Sequence, residues 1–319
     1  MMKQYGGAKG GGSILRSPFL LPPLVLVLLI VAAYARCFER PLGRFYTVKI
    51  DILETQKPVV PPRMPTLHLL GDSSMCRKGT NNGVKGVRYE GWGEFMKDYL
   101  LINVTSHAIS GRSSRMYTRE GRFDTALAHA QPGDYAIIQF GRNDKGKLKP
   151  KDNGKAVCPG PEFTKTCPSI WQDERVKVHT FTYYMANATR HFLDRGVHVI
   201  IAAPTTNNPY SATGKFYETP TIWGPYSKLV AEKENVTFVD HFVYGVDLFK
   251  RLGKEETQTL YPVVQDRSHT NPKGADRMAQ AFLRGLMCTD SGLKQYINMT
   301  AAQRISGDCL SEDVKKSEG

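Results

Sequence analysis

Five short apolar runs, at residues 67–70, 101–105, 135–140, 197–202 and 236–239, alternate with stretches whose apolar residues recur at helical spacing, at 93–99, 123–130, 173–194, 226–234 and 272–286. Near-continuous apolar runs of this length mark strands buried on both faces, and a helix between two such strands makes the crossover that a parallel pair needs. The rhythm predicts a mostly parallel sheet of about five strands with helices on both faces. Such sheets bind ligands beyond the carboxyl ends of their strands. A chain of 319 residues, 41% hydrophobic and without internal repeats, suffices for one well-buried domain plus appendages. The expected organisation is a leader at 1–36, a linker or stem at 37–65, the folded domain at 66–310 and a polar, disordered tail at 311–319.

The formal net charge is +13, which suits nucleic acid, anionic lipid or an acidic polymer as partner. Nucleic acid is set aside, because no zinc-finger spacing, helix-turn-helix pattern or aromatic ribonucleoprotein motif accompanies the charge. Lys145, Lys147, Lys149, Lys151 and Lys155 cluster in one segment. No HExxH helix or paired CxxC knuckle is present, so neither a metal nor a cofactor is expected.

Lys3, Lys9 and Arg16 precede an apolar stretch at 18–35, which places everything after Arg36 across a membrane. Pro22 and Pro23 shorten that stretch against the roughly 20 residues of a span, and Ala33-Tyr34-Ala35 reads as a cleavage site. The long leader ahead of it suits a signal anchor instead. The chain is therefore expected in the secretory pathway, either secreted or as a single-pass type II membrane protein with its domain outside the cytoplasm. Sequons at Asn103, Asn187, Asn235 and Asn298, and six cysteines, fit that oxidising compartment. Cys158 with Cys167 and Cys288 with Cys309 are the preferred disulfides. Cys37 and Cys76 remain, the latter read as a small buried apolar residue rather than a reactive thiol.

Four polar blocks punctuate this pattern: Gly71-Asp72-Ser73-Ser74, Ser110-Gly111-Arg112-Ser113, Gly141-Arg142-Asn143-Asp144 and Asp266-Arg267-Ser268-His269. A serine hydroxyl becomes a nucleophile when an imidazole removes its proton and a carboxylate fixes that imidazole's tautomer. Ser73, His269 and Asp266 supply those groups, the three-residue separation letting the carboxylate meet Nδ1 while Nε2 faces the serine. Ser73 also fits a plain helix N-cap. Asp72 adjoins it, but neighbouring side chains on a tight turn rarely face one another, so it is expected to hold the turn. His241, after Asp240, is the reserve imidazole.

In the order of these blocks the chain resembles the SGNH (GDSL-type) hydrolases, and most closely the rhamnogalacturonan acetylesterases, from about Thr66 to about Cys309. The likeness rests on residues 69–75, 111–123, 139–144 and 266–275. It implies an α/β, flavodoxin-like three-layer sandwich and disulfides in similar places. It also implies a serine esterase whose oxyanion hole is formed by the backbone N–H groups of Ser73 and Gly111 and the side-chain amide of Asn143. Two departures stand out: Ser74 replaces the usual threonine, and Arg142 the histidine common in the third block. The implied substrate is an O-acetylated polysaccharide, with the rhamnogalacturonan of pectin first. Arg142, Lys147, Lys149 and Lys151 would then meet its galacturonate carboxylates, the lysines being otherwise a solvated loop. Other readings are an esterase of xylan-type glycans or of lipids, and a non-catalytic glycan-binding protein of the secretory pathway, membrane-associated if the anchor is retained.

Overall fold

The computed structural model describes residues 63–77, 87–210 and 213–310. The expected leader, the apolar stretch, Cys37, most of the stem and the C-terminal tail lie outside the described residues. In chain order the strands are β1 (Thr66–Gly71), β2 (Asn103–Ser106), β3 (Tyr135–Gln139), β4 (Thr166–Trp171), β5 (Glu174–His179), β6 (His198–Ala202) and β7 (Thr237–Val239). Among the described residues one parallel sheet has the order β2-β1-β3-β6-β7. With the β4–β5 hairpin set aside, this is the flavodoxin-like order.

The helices are α1 (Ser114–Arg119), α2 (Arg122–His129), α3 (Phe181–Asp194), α4 (Trp223–Glu234), α5 (His241–Thr259), α6 (Pro272–Met287) and α7 (Met299–Ala302). Strand alternation sorts them into two layers. Leu67, Leu69, Ile137 and Ile200 face α5, α6 and a 3-10 helix at Trp92–Asp98. Leu70, Ala136, Ile138, Val199 and Ile201 face α1, α2, α3 and α4. The central strands β1, β3 and β6 are buried on both faces, which is why they read as near-continuous apolar runs; each fully buried Leu or Ile contributes roughly 1.5–3 kcal/mol. In α6, Asn271 caps the first turn by accepting from the Gly274 N–H, with Pro272 next in sequence. Phe282 then stacks on Trp92 with ring centroids 4.8 Å apart.

Two long segments differ from the sequence expectation, besides the short helices α1 and α7, which it did not include. The helix expected at 173–194 begins only at Phe181, where Thr180 caps it by accepting from the Tyr183 N–H. Residues 174–179 form β5, paired antiparallel with β4. Gln172 and Asp173 both adopt positive φ, the backbone of a tight two-residue hairpin turn, and of the arm Arg175–Val176–Lys177–Val178 the last is fully buried. The Cys158–Cys167 disulfide staples this hairpin to the preceding loop, and Cys288–Cys309 ties the end of α6 to the C-terminal segment. The second difference is α5, for which no helical pattern was expected and which is interrupted at Gly253. Among the described residues no helix is long and apolar enough to cross a membrane. The disulfides indicate an oxidising environment.

Candidate active site

β1 ends at Gly71, where a β-carbon would stand 2.9 Å from both the Gln139 carbonyl oxygen and the Met75 sulfur. Only glycine lets the chain turn so close to β3. The turn that follows is held by Asp72, whose Oδ1 accepts from the backbone N–H and the hydroxyl of Ser74, both at 2.9 Å. Burial raises the Asp72 carboxyl above its usual range, while the Ser74 bonds oppose the rise. Asp72 is thus occupied with the turn, and Ser73 projects from its apex.

The hydroxyl of Ser73 lies 2.9 Å from Nε2 of His269, and Nδ1 of that ring lies 2.8 Å from Oδ2 of Asp266. The other Asp266 oxygen accepts from the backbone N–H groups of Ser268 and His269 at 3.0 and 3.1 Å. Burial pushes the Asp266 carboxyl upward, but the bonds from His269 and Ser268 outweigh it and hold the group below the usual carboxylate range. An ionised carboxylate only accepts, so Nδ1 carries the ring proton and Nε2 is left to accept from Ser73. The ring edge of Tyr89 packs against His269 at a centroid distance of 6.0 Å.

The remaining blocks are drawn to the same rim. Beyond β2 the chain stays alongside β1, the N–H groups of His107 and Ile109 donating to the carbonyls of Leu69 and Gly71. This brings Ile109 to the end of β1, with Gly111, at φ of +77°, two residues further along the chain. In the third block, Asn143 Nδ2 lies 3.4 Å from Asp72 Oδ2. Asp144 accepts from the backbone N–H and the hydroxyl of Ser114 at the start of α1, and burial raises its carboxyl to about 7. Second and third blocks are thereby locked together.

Arg142 is turned inward. Its guanidinium donates to the Thr205 carbonyl at 2.6 Å, to the Thr205 hydroxyl at 3.0 Å and to the Asn207 side-chain oxygen. That oxygen also accepts from the Ser268 hydroxyl, and Arg267 donates to the Asn208 carbonyl. The loop after β6 therefore bridges the third block to the last. Sequence reasoning missed it; its signal is a polar stretch, 205–208, directly after a buried strand at the same rim. A cleft of about 100 Å³ opens here, lined among others by Arg142, Lys145, Asn207, Thr221 and Trp223.

Lys147, Lys149 and Lys151 are exposed, whereas Lys155 is half-buried. His241 lies wholly in the core, accepting at Nδ1 from Gln139 and donating from Nε2 to the Met278 carbonyl; burial lowers its pKa to about 3. It has no path to Ser73. Cys76 is buried and unbridged, its thiol pushed up to about 11 by burial and then by Asp72 and Glu90. Asn103 and Asn235 are exposed and Asn187 and Asn298 partly buried, Asn187 lying within α3. Among the described residues no group of three or more His, Cys, Asp or Glu side chains is placed to hold a metal ion.

Known proteins resemble this chain in family and in fold. A family model described as GDSL-like Lipase/Acylhydrolase matches residues 67–282, from β1 to the middle of α6. The rhamnogalacturonan acetylesterase of Emericella nidulans is 36% identical over 245 residues, covering 77% of this chain and 93% of that protein. The rhamnogalacturonan acetylesterase RhgT of Bacillus subtilis is 24% identical over 221 residues, covering 65% and 84%. The crystal structure of Bacillus subtilis YxiM, 22% identical, aligns with a TM-score of 0.55 over 72% of this chain and 57% of that one, a likeness of fold. With a family match running through most of the sheet and its helices, and a relative of that identity spanning nearly its own full length, the chain belongs to the GDSL-like lipase/acylhydrolase family.

Proposed function

We propose that the chain is a carbohydrate O-acetylesterase that removes acetyl groups from rhamnogalacturonan. The observation that carries this reading is the hydrogen-bonded line from Ser73 through His269 to Asp266 at the carboxyl end of the sheet, in a chain 36% identical to a rhamnogalacturonan acetylesterase. In the proposed mechanism the Ser73 oxygen attacks the acetyl carbonyl as its proton passes to His269 Nε2. Asp266 stabilises the imidazolium, which then protonates the departing sugar hydroxyl. A water molecule repeats the sequence on the acetyl-enzyme, releasing acetate. The carbonyl oxygen, as it gains charge, would accept from the backbone N–H groups of Ser73 and Gly111 and from Asn143, whose amide has one N–H toward Asp72 and a second to offer.

The disulfides and sequons support a secreted or lumenal location, with the 18–35 stretch serving as signal peptide or anchor. The decisive measurement is acetate release by the full chain from acetylated rhamnogalacturonan, xylan and mannan. Rhamnogalacturonan should rank first, and Ser73→Ala should abolish release while leaving the melting temperature near that of the parent. Full activity in Ser73→Ala would remove the nucleophile assignment, and a preference for xylan would replace the substrate.

A further inference from the structure

The position of one lysine deepens this reading and rests on it. Lys155 Nζ lies 3.8 Å from the point where Gly111 would carry a β-carbon, so its ammonium stands beside the glycine assigned to the oxyanion hole. The turn presenting it is firmly built. Asn153 Oδ1 accepts from the N–H groups of Lys155 and Ala156 at 2.9 Å, and Asp152 Oδ1 accepts from Gly154 at 2.7 Å. Asp152 is in turn gripped by two bonds from Arg115, at 3.0 and 2.8 Å, and by the Ser169 hydroxyl at 2.8 Å. Arg115 belongs to α1, the helix that follows Gly111 directly. The backbone carrying the ammonium and the oxyanion glycine are therefore parts of one buried assembly, which fixes their separation.

The neighbouring cations already have partners. Arg112 pairs with Glu120, Arg115 with Asp152, and Arg119 donates to the Gly154 carbonyl while its guanidinium stacks on Trp171 at 3.7 Å. Among the described residues Lys155 has no carboxylate partner. A half-buried ammonium at the mouth of an ester site, ringed by satisfied arginines, suits an anionic group brought by the substrate. The named relatives act on a polymer that contains galacturonate, whose carboxylate is such a group.

We propose that Lys155 is a specificity-determining residue, whose ammonium pairs with the carboxylate of a uronic-acid unit of the substrate while Ser73 attacks the acetyl ester. The exposed Lys147, Lys149 and Lys151 do not set this preference. The test compares the full chain, Lys155→Gln, Lys155→Arg and the triple Lys147→Gln/Lys149→Gln/Lys151→Gln on two substrates, acetylated galacturonate-containing oligosaccharides and neutral acetylated xylo-oligosaccharides.

Lys155→Gln should lower the ratio of kcat/KM between the two substrates by roughly tenfold, as loss of one hydrogen bond to a charged group does. The loss should appear in KM for the uronate substrate, and Lys155→Arg should restore most of it. The salt dependence of that KM should flatten in Lys155→Gln. An equal fall of kcat on both substrates would assign the ammonium to the oxyanion instead and overturn the proposal. So would an unchanged ratio, or a fall of the same size in the triple variant. Melting temperatures confirm that each variant is folded. Failure of the parent chain to release acetate from the uronate substrate would refute the rhamnogalacturonan reading itself, an outcome separate from any effect of Lys155.

Discussion

At the scale of single residues, the site depends on one proton being in the right place. Nδ1 of His269 keeps its proton because Asp266, held ionised by its bonds from His269 and Ser268, can only accept. Asp266→Asn keeps the shape but offers an amide N–H to the ring, favouring the tautomer in which Nε2 is protonated and cannot receive the serine proton. The expected result is a fall in kcat on the order of 10⁴, with KM for acetyl esters little changed. Asn143→Ala should cost about 100- to 1,000-fold in kcat through loss of the donor proposed for the oxyanion. Steady-state kinetics on a nitrophenyl acetate measures both, and a loss of kcat/KM due only to a higher KM would contradict both roles. These residues were legible in the sequence because each sits in a short block just beyond a buried strand or at a fixed separation from its partner. The direction of Arg142 was not. A half-buried guanidinium turns to whatever acceptors are near, and Thr205 and Asn207 lie in a loop without periodicity.

At the scale of elements, β1, β3 and β6 were readable because two buried faces impose one unbroken apolar signature. The β4–β5 hairpin was not, because its arms are half-exposed and run into α3, so 173–194 presents mixed spacing that one helix also fits. What the hairpin does physically is close over Asp152, through the Ser169 hydroxyl, and thereby bury the Arg115 ion pair at 2.8 Å. Breaking such a pair from one side strands a charge out of water. Asp152→Ala should therefore lower unfolding stability by about 3–5 kcal/mol, whereas replacing both Arg115 and Asp152 by leucine should cost distinctly less. Denaturant titration of the single and double variants distinguishes these outcomes. A double variant as unstable as the single one would mean that the pair contributes net attraction beyond compensating its own burial.

At the scale of the whole molecule, the two-layered core follows from strand alternation, but it also encloses polar groups, one of them on β1. His68, in the middle of β1, reaches Asp134 Oδ2 at 3.2 Å through Nε2 and His107 at 3.0 Å through Nδ1. Asp134, lowered by its bonds from Thr66, Arg63 and others despite burial, is an acceptor. Hence His68 donates from Nε2 and accepts at Nδ1 from the Nε2–H of His107, and both rings are neutral. Burial lowers His68, and burial together with the neighbouring His68 and His129 rings takes His107 to about 4. Arg63 adds to the depression of His68. In the unfolded chain these imidazoles titrate near the ordinary value of about 6.5, so between that pH and about 4 the unfolded state binds more protons. Stability is then complete above the unfolded value and falls as the pH drops through this window. His241, held neutral down to about 3, adds a loss of the same sign, while Asp134 contributes its own only at lower pH, as its carboxyl approaches protonation. The His107 share should be about 1–2 kcal/mol, because its ring is only partly buried and water screens part of the shift. Free energies of unfolding measured at pH 7 and pH 4.5 should differ by less in His107→Gln than in the parent, since glutamine can keep a donor toward His68 without titrating. An identical pH slope in the two proteins would place the acid sensitivity elsewhere in the fold.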